Sequence, residues 1–261
     1  MTLTLDSLRS SVPSLFSEKA DPACSDRYSF IPTTKVVDLL QEDGWMPWKA
    51  QQVNSRTPDR RSFANHLVRF KREDTVLDDG TSNLFPEILL MNAHNGKGKY
   101  LMKAGLFRTI CANGMVVCDE DFGEIRIKHI GFEEKDVFDA SQKFTRNINR
   151  ISDVVDKWSN TPLQHQDALR FARDAARLRW EDAGDSAAGN LLQQRRSEDT
   201  TRNLWGCFQV VQENLLAGGF RVDGQKRNSR KITSIQKDVD LNSDLWELGT
   251  KYFSEGSYSL N

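Results

Sequence analysis

The stretch EEKDVFDASQKFTRNINRISDVVDKW, residues 133–158, is where the chain changes period. Val137, Phe144, Ile148, Ile151, Val155 and Trp158 recur in it at spacings of seven, four, three, four and three. That spacing keeps them on one side of an α-helix. Upstream the period is two. Trp48, Ala50 and Gln52 alternate in a strand over 45–53, and Ala64, His66, Val68 and Phe70 share one face of a second over 63–71, with Asn65, Arg69 and Lys71 on the other. Asn95-Gly96 and Asn113-Gly114 tolerate positive φ and mark turns. They divide the centre into strands over 85–92, 99–111 and 115–118, with another over 124–130. Within the middle one, residues 102–110 also fit a helical turn.

One helix precedes the strands, with Thr33 or Thr34 as its cap, Val36, Val37, Leu39 and Leu40 as its apolar positions and Gly44 as its stop. Downstream of Trp158, Pro162 opens a helix whose stripe is Ala168, Phe171, Ala172, Ala175 and Leu178. A polar stretch, 182–190, leads to a helix holding Leu204, Phe208, Val211 and Leu215, ended by Gly218-Gly219, and a last helix carries Leu241, Leu245 and Leu248. Trp158, Trp180, Trp205 and Trp246 fall in helical stripes and belong to the core. Strands followed by helices give an α+β class: an antiparallel sheet with one early helix, and a helical C-terminal half packed on it. The expected organisation is a flexible arm over 1–24 and a single domain over 25–261, sheet-rich over 25–131 and helical over 132–261.

Composition narrows the function classes. Charged residues are 28% and hydrophobic ones 38% of 261 residues, a globular balance. No apolar run approaches the roughly 18 residues a membrane span needs. Residues 1–22 carry Asp6, Glu18 and Asp21 and lack a basic start followed by an apolar run, so a cytoplasmic location is expected. Cys24, Cys111, Cys118 and Cys207 form no close pair, which argues for reduced thiols and against structural zinc. No metal and no cofactor is expected.

Catalytic motifs fail on inspection. Gly96-Lys97-Gly98-Lys99-Tyr100 resembles a phosphate loop, but position 93 is Ala where that motif needs Gly, and Tyr100 stands where it needs a hydroxyl for magnesium. No nucleophile elbow is present. An enzyme would need His94, His129 and an acid gathered in one cleft. A non-enzymatic role is favoured.

Charge is the most informative remainder. The net charge is −1, so no global field attracts nucleic acid. The distribution is polarised. Residues 92–112 hold Lys97, Lys99, Lys103 and Arg108 with no acid, and 221–231 hold Arg221, Lys226, Arg227, Arg230 and Lys231 against Asp223 alone. Lysines and arginines neutralise phosphates, and an interleaved ring such as Tyr100 can stack on an unpaired base. These ten residues are the candidate nucleic-acid contacts. Between the two segments, 119–139 is acidic and is the candidate surface for a protein partner. A homo-oligomer is compatible with either.

Several runs carry a family resemblance: Arg27-Tyr28-Ser29-Phe30-Ile31, Pro86 through Gly96, Gly105 through Gly114, Glu124 through His129, Arg195-Arg196-Ser197-Glu198-Asp199, Val211 through Gly219, and Leu241 through Trp246. In this order they resemble the phage- and plasmid-borne family of domains of unknown function numbered 932. The resemblance implies origin on a mobile element and no agreed reaction. The family pattern has Asn-Ser-His-Asp-Gly where this chain has Asn92-Ala93-His94-Asn95-Gly96, which weakens any metal or base role of that aspartate. The order of elements is also similar to that of single-strand annealing proteins of recombination systems, an analogy of fold alone. The resulting expectation is a mobile-element accessory protein that binds DNA, single-stranded in a recombination or annealing role. Its rivals are a protein-binding inhibitor of a host defence system and an enzyme of unrecognised class.

Overall fold

The computed structural model describes residues 3–55, 57–80, 82–98, 100–109, 113–117, 125–126, 133–223 and 225–256. The chain forms two compact units. The first comprises Met1–Leu77, Phe85–Phe107 and Asp119–Ile148, and the second Asp78–Leu84, Arg108–Cys118 and Asn149–Asn261.

The first unit is built on strands. β1 (Met46–Gln52), β2 (His66–Lys71), β4 (Asn83–Asn92) and β5 (Leu101–Arg108) lie side by side in that order, with β3 (Leu77–Asp78) on β4 and β7 (Ile125–Arg126) on β5. β1/β2 and β2/β4 are antiparallel, and their register aligns Gln52 with His66 and His66 with Asn92. Residues 101–108 are therefore strand, not helical turn. A short 3-10 helix, Pro58–Phe63, precedes the second strand, which begins at His66 and not at residue 63. The early helix α2 spans Thr33–Glu42 and stops at Gly44, whose φ is 87°. Its N-cap is Pro32, and the Thr33 hydroxyl turns into the core instead of capping the helix.

Residues 3–24 are structured where a flexible arm over 1–24 is expected. α1 (Leu5–Ser11) is capped by Thr4, whose hydroxyl accepts from the Ser7 amide, and a 3-10 turn follows at Pro13–Phe16. Leu8, Val12 and Leu15 are spaced as a helical stripe and are completely buried. The arm's Ser/Thr-rich composition hid that stripe.

The second unit is helical. α3 (Glu134–Ser159) gives it the C-terminal half, followed by α4 (His165–Arg177), α5 (Asp185–Leu191), α6 (Leu204–Ala217) and α7 (Ile235–Gly256); β6 (Asn113–Val116) also belongs to it. The whole predicted seam of α3, from Val137 to Trp158, is buried. Trp158, Trp205, Phe208 and Trp246 form one aromatic cluster, with ring centroids of Trp158 and Trp246 4.8 Å apart and Trp158 and Phe208 5.4 Å apart. Gly249 makes room for it, since a Cβ there would meet the Trp158 ring at 2.4 Å. Leu204, Phe208, Val211 and Leu215 are fully buried as expected. Two details differ. α4 begins at His165, three residues after Pro162, and Leu178 and Trp180 lie beyond its end, where Leu178 is exposed and Trp180 half-buried. The polar stretch 182–190 folds into α5, because an Asp223 carboxylate oxygen accepts from the amides of Gly184 (3.0 Å) and Ala187 (3.4 Å) and so satisfies its N-terminus.

Candidate nucleic-acid interface

The second basic segment is a braced hairpin. α6 ends at Gly218 and Gly219, with φ of 61° and 94°, conformations that turn the chain sharply at little cost only for glycine. Returning residues then pair. The Gly219 amide donates to the Ser229 carbonyl (2.9 Å), the Ser229 amide to the Phe220 carbonyl (2.8 Å), and the Ile232 amide to the Leu216 carbonyl (2.9 Å), while Arg221 and Asn228 form an isolated antiparallel bridge. Val222 and Ser229 point inward, and Asp223 is engaged at the start of α5. Arg221, Lys226, Arg227, Arg230 and Lys231 are all exposed. The Arg221 guanidinium is bent back onto the carbonyls of Gln225 (3.3 Å) and Lys226 (3.2 Å). Among the described residues, Lys226, Arg227, Arg230 and Lys231 have no acidic partner. The hairpin thus presents unneutralised cations on a stiff backbone, which limits the entropy lost on gripping a polyanion.

Beside the hairpin's exit lies a cleft of about 530 Å³. Arg230, Lys231 and Lys237 line it, together with Trp180, Ile232 and Asp240. The Arg179 guanidinium sits 4.6 Å from the Trp180 ring centroid and donates to the carbonyls of Leu215 and Arg230. Burial lowers the pKa of Arg179. Trp180 meets Phe220 edge to face at 5.5 Å. Arg179 therefore fastens the hairpin to the end of α6. Arg179, Trp180 and Lys237 are not among the residues expected from the sequence; the adjacent Arg179-Trp180 pair just past α4 is the signal the sequence offers for them.

The first basic segment is different. Lys97 is exposed on a cleft of about 290 Å³ that Arg60 and Asp21 also line. Lys99 lies outside the described residues. Lys103 is half-buried. Two assignments are corrected. Tyr100 is 2% exposed, with its phenol pKa raised by burial, and cannot stack on a base. Arg108 is 4% exposed; its Nε donates to Asp79 at 3.0 Å, so it cannot neutralise a phosphate. The same Asp79 oxygen accepts from Trp205 Nε1 at 2.9 Å. Arg108 Nη1 is 4.0 Å from Asp199, whose other oxygen accepts from the amides of Arg195 (3.0 Å) and Arg196 (3.1 Å). The run 195–199 that carries part of the family resemblance thus closes a buried charge network inside the second unit.

His94 is fully buried in a polar cluster of the first unit. The aligned Gln52, His66 and Asn92 supply its frame. The Thr33 hydroxyl lies 3.0 Å from His66 Nε2 and 3.2 Å from His94 Nε2, and accepts from Asn92 Nδ2 at 2.9 Å. His66 Nδ1 is 3.1 Å from the Ala64 carbonyl and 2.9 Å from Ser14 Oγ. A carbonyl only accepts, so Nδ1 carries the proton and Nε2 is left as an acceptor. Desolvation pushes the His66 pKa down to about 4, so the ring is neutral at pH 7. The Tyr28 hydroxyl donates to the Ala93 carbonyl at 3.1 Å, and Phe30 packs 4.8 Å from the His94 ring, joining two more of the resembling runs. The cluster is buried, and the side chains of Thr33, His66 and Asn92 are hydrogen-bonded within it, as in a structural core. His129, the expected partner of His94, lies outside the described residues, as do Cys111, Cys118 and, of the acidic 119–139 stretch, residues 119–124 and 127–132. Among the described residues no group of three or more His, Cys, Asp or Glu could hold a metal, and no helix is long and apolar enough to cross a membrane.

The family model described as "Domain of unknown function (DUF932)" matches residues 22–246. Two proteins of Escherichia coli strain K12, "UPF0380 protein YafZ" and "UPF0380 protein YfjQ", are each 35% identical over 248 residues, covering 94% of this chain and 89% of theirs. No solved structure matches. The chain belongs to the DUF932 family.

Proposed function

We propose that this protein is a nucleic-acid-binding accessory factor of phage or plasmid type, gripping a phosphate backbone through the 219–231 hairpin, with single-stranded DNA in a recombination or annealing role as its ligand. One observation carries this reading. Four exposed cations without acidic partners stand on a braced hairpin of a chain whose net charge is −1. Exposed cations held together repel one another, and a polyanion relieves that repulsion while releasing its own counterions. The test is a binding titration of the full chain with single- and double-stranded DNA at several salt concentrations. If all four cations meet phosphates, the log–log salt slope is about −3 on single strands and about −3.6 on duplex. Reversing Lys226, Arg227 and Arg230 to Glu abolishes binding and leaves the circular dichroism spectrum unchanged. A wild-type chain that binds neither DNA at low salt sinks the reading.

A protein partner is the second reading. On the first turns of α3, Phe138 is 51% exposed beside the exposed acids Glu133, Asp136 and Asp139. An apolar ring rimmed by charge is the form of a small docking patch. It leads if DNA binding fails.

A further inference from the structure

The hairpin explains a grip on phosphates, and the cleft beside it has a different chemistry. It is concave and about 530 Å³, within the size range of sites that enclose a small molecule. Its lining has three parts. Arg230, Lys231 and Lys237 are exposed and, among the described residues, have no acidic partner, so they supply positive charge to the lining. Trp180 with the Arg179 guanidinium over its ring makes a stacked shelf, continued by Ile232, that offers an apolar and polarisable wall. Asp240 and Asp244 add carboxylates, acceptors that a plain phosphate-binding groove would exclude.

A ligand that satisfies all three has an anionic end, a flat π-system and hydrogen-bond donors. We infer that the cleft holds one unpaired nucleotide: its phosphate against Lys231 and Lys237, its base on the Trp180–Arg179 shelf, and a base amine or sugar hydroxyl toward Asp240. Guanidinium and indole surfaces both take bases by stacking, and they do so only when the base is free of its own stack. Arg179 acts as a positioning residue. Its guanidinium is committed to the carbonyls of Leu215 and Arg230, and so it fixes the shelf relative to the cations. This inference rests on the nucleic-acid reading and sharpens it: the hairpin holds any phosphate backbone, and the cleft selects single strands. The same chemistry could come from a free mononucleotide, and the test separates the two sources.

The experiment titrates the full chain with deoxyadenosine 5′-monophosphate, with a 5′-phosphorylated (dA) oligonucleotide and with a duplex. The chains compared are wild type, Lys231→Glu/Lys237→Glu, Trp180→Ala, Trp180→Phe and Lys226→Glu/Arg227→Glu. Trp180→Ala is expected to weaken single-strand binding about tenfold, the size of one lost base stack, with duplex binding changed less than about threefold. Trp180→Phe retains most of the affinity, which separates a lost stack from a damaged fold. Lys231→Glu/Lys237→Glu is expected to weaken single strands more than duplex, while Lys226→Glu/Arg227→Glu weakens both alike. Equal losses on both DNA forms in the cleft variants, or no loss in Trp180→Ala, overturn the cleft and leave the hairpin reading standing. Binding of the mononucleotide alone, lost in Lys231→Glu/Lys237→Glu, supports the cleft, names a free nucleotide as its ligand and overturns the polynucleotide reading.

Discussion

The two basic segments look alike as strings of letters and differ in what the fold does with them. Residues 97–108 run into β5, and of their named side chains Tyr100 and Arg108 turn inward while Lys103 is half-buried. Residues 221–231 run through a hairpin, where all five bases stay exposed and, among the described residues, Val222 and Ser229 are the buried ones. A strand alternates its faces whatever its charge, so a basic residue on a covered face must find an internal partner. Arg108 finds Asp79. A hairpin closed by backbone hydrogen bonds makes no such demand, and its cations remain available. Counting positive residues therefore says little about an interface until each one's backbone setting is known.

The largest expected effect tests the inward side of this contrast. Arg108→Ala leaves Asp79 buried with its charge uncompensated, and breaking such a pair costs about 3–5 kcal/mol. Chemical denaturation should show that loss, whereas Arg227→Ala should stay within about 0.5 kcal/mol of wild type. An Arg108→Ala chain of unchanged stability but weakened DNA binding would invert the assignment of the two segments.

The next effect is a pH dependence carried by the first unit. The folded His66 pKa is about 4, below the ordinary value near 6.5. The native state thus keeps the ring neutral while the unfolded chain takes up a proton as the pH falls below about 6.5. Stability from this group is fully present above about pH 6.5 and is lost as the pH falls to about 4, at close to 1.4 kcal/mol per pH unit and about 3 kcal/mol in all. NMR titration of the His66 ring checks the cause directly. A midpoint near 6.5 in the folded chain would remove the prediction. No corresponding group exists among the described hairpin residues.

Periodic segments were legible in the sequence because repeated burial leaves a repeated pattern. The α3 seam and the α6 core follow from spacings of three and four, β1 and β2 from a spacing of two, and β4 and β5 from the turn dipeptides that bound them, although residues 102–110 also fit a helical turn; Gly218-Gly219 marks the end of α6. What escaped was held by single long-range contacts. α1 depends on three buried side chains within a polar stretch, and α5 on the Asp223 carboxylate some forty residues away in the chain. Of the candidate site, the exposure of 221–231 was legible from its glycines and lack of apolar periodicity. The cleft was not, because Arg179, Trp180 and Lys237 are distant in sequence from that loop and each looks ordinary alone.

The smallest effects on the fold decide the contrast most finely. Arg227→Glu and Lys97→Glu each alter one exposed cation that has no acidic partner among the described residues, and each should change stability by less than about 0.5 kcal/mol. They should part company on DNA. Arg227 shares its hairpin with Lys226, Arg230 and Lys231, so a backbone seated there meets it as one of several adjacent charges. Lys97 has Asp21 on the same cleft, and that carboxylate repels a phosphate drawn to Lys97. Arg227→Glu should flatten the salt slope by about 0.7 on single strands and about 0.9 on duplex, one contact's share. Lys97→Glu should flatten it by less than half as much. Equal flattening by the two would show that both segments meet the backbone, and the difference drawn between strand and hairpin would then concern burial of Tyr100 and Arg108 alone.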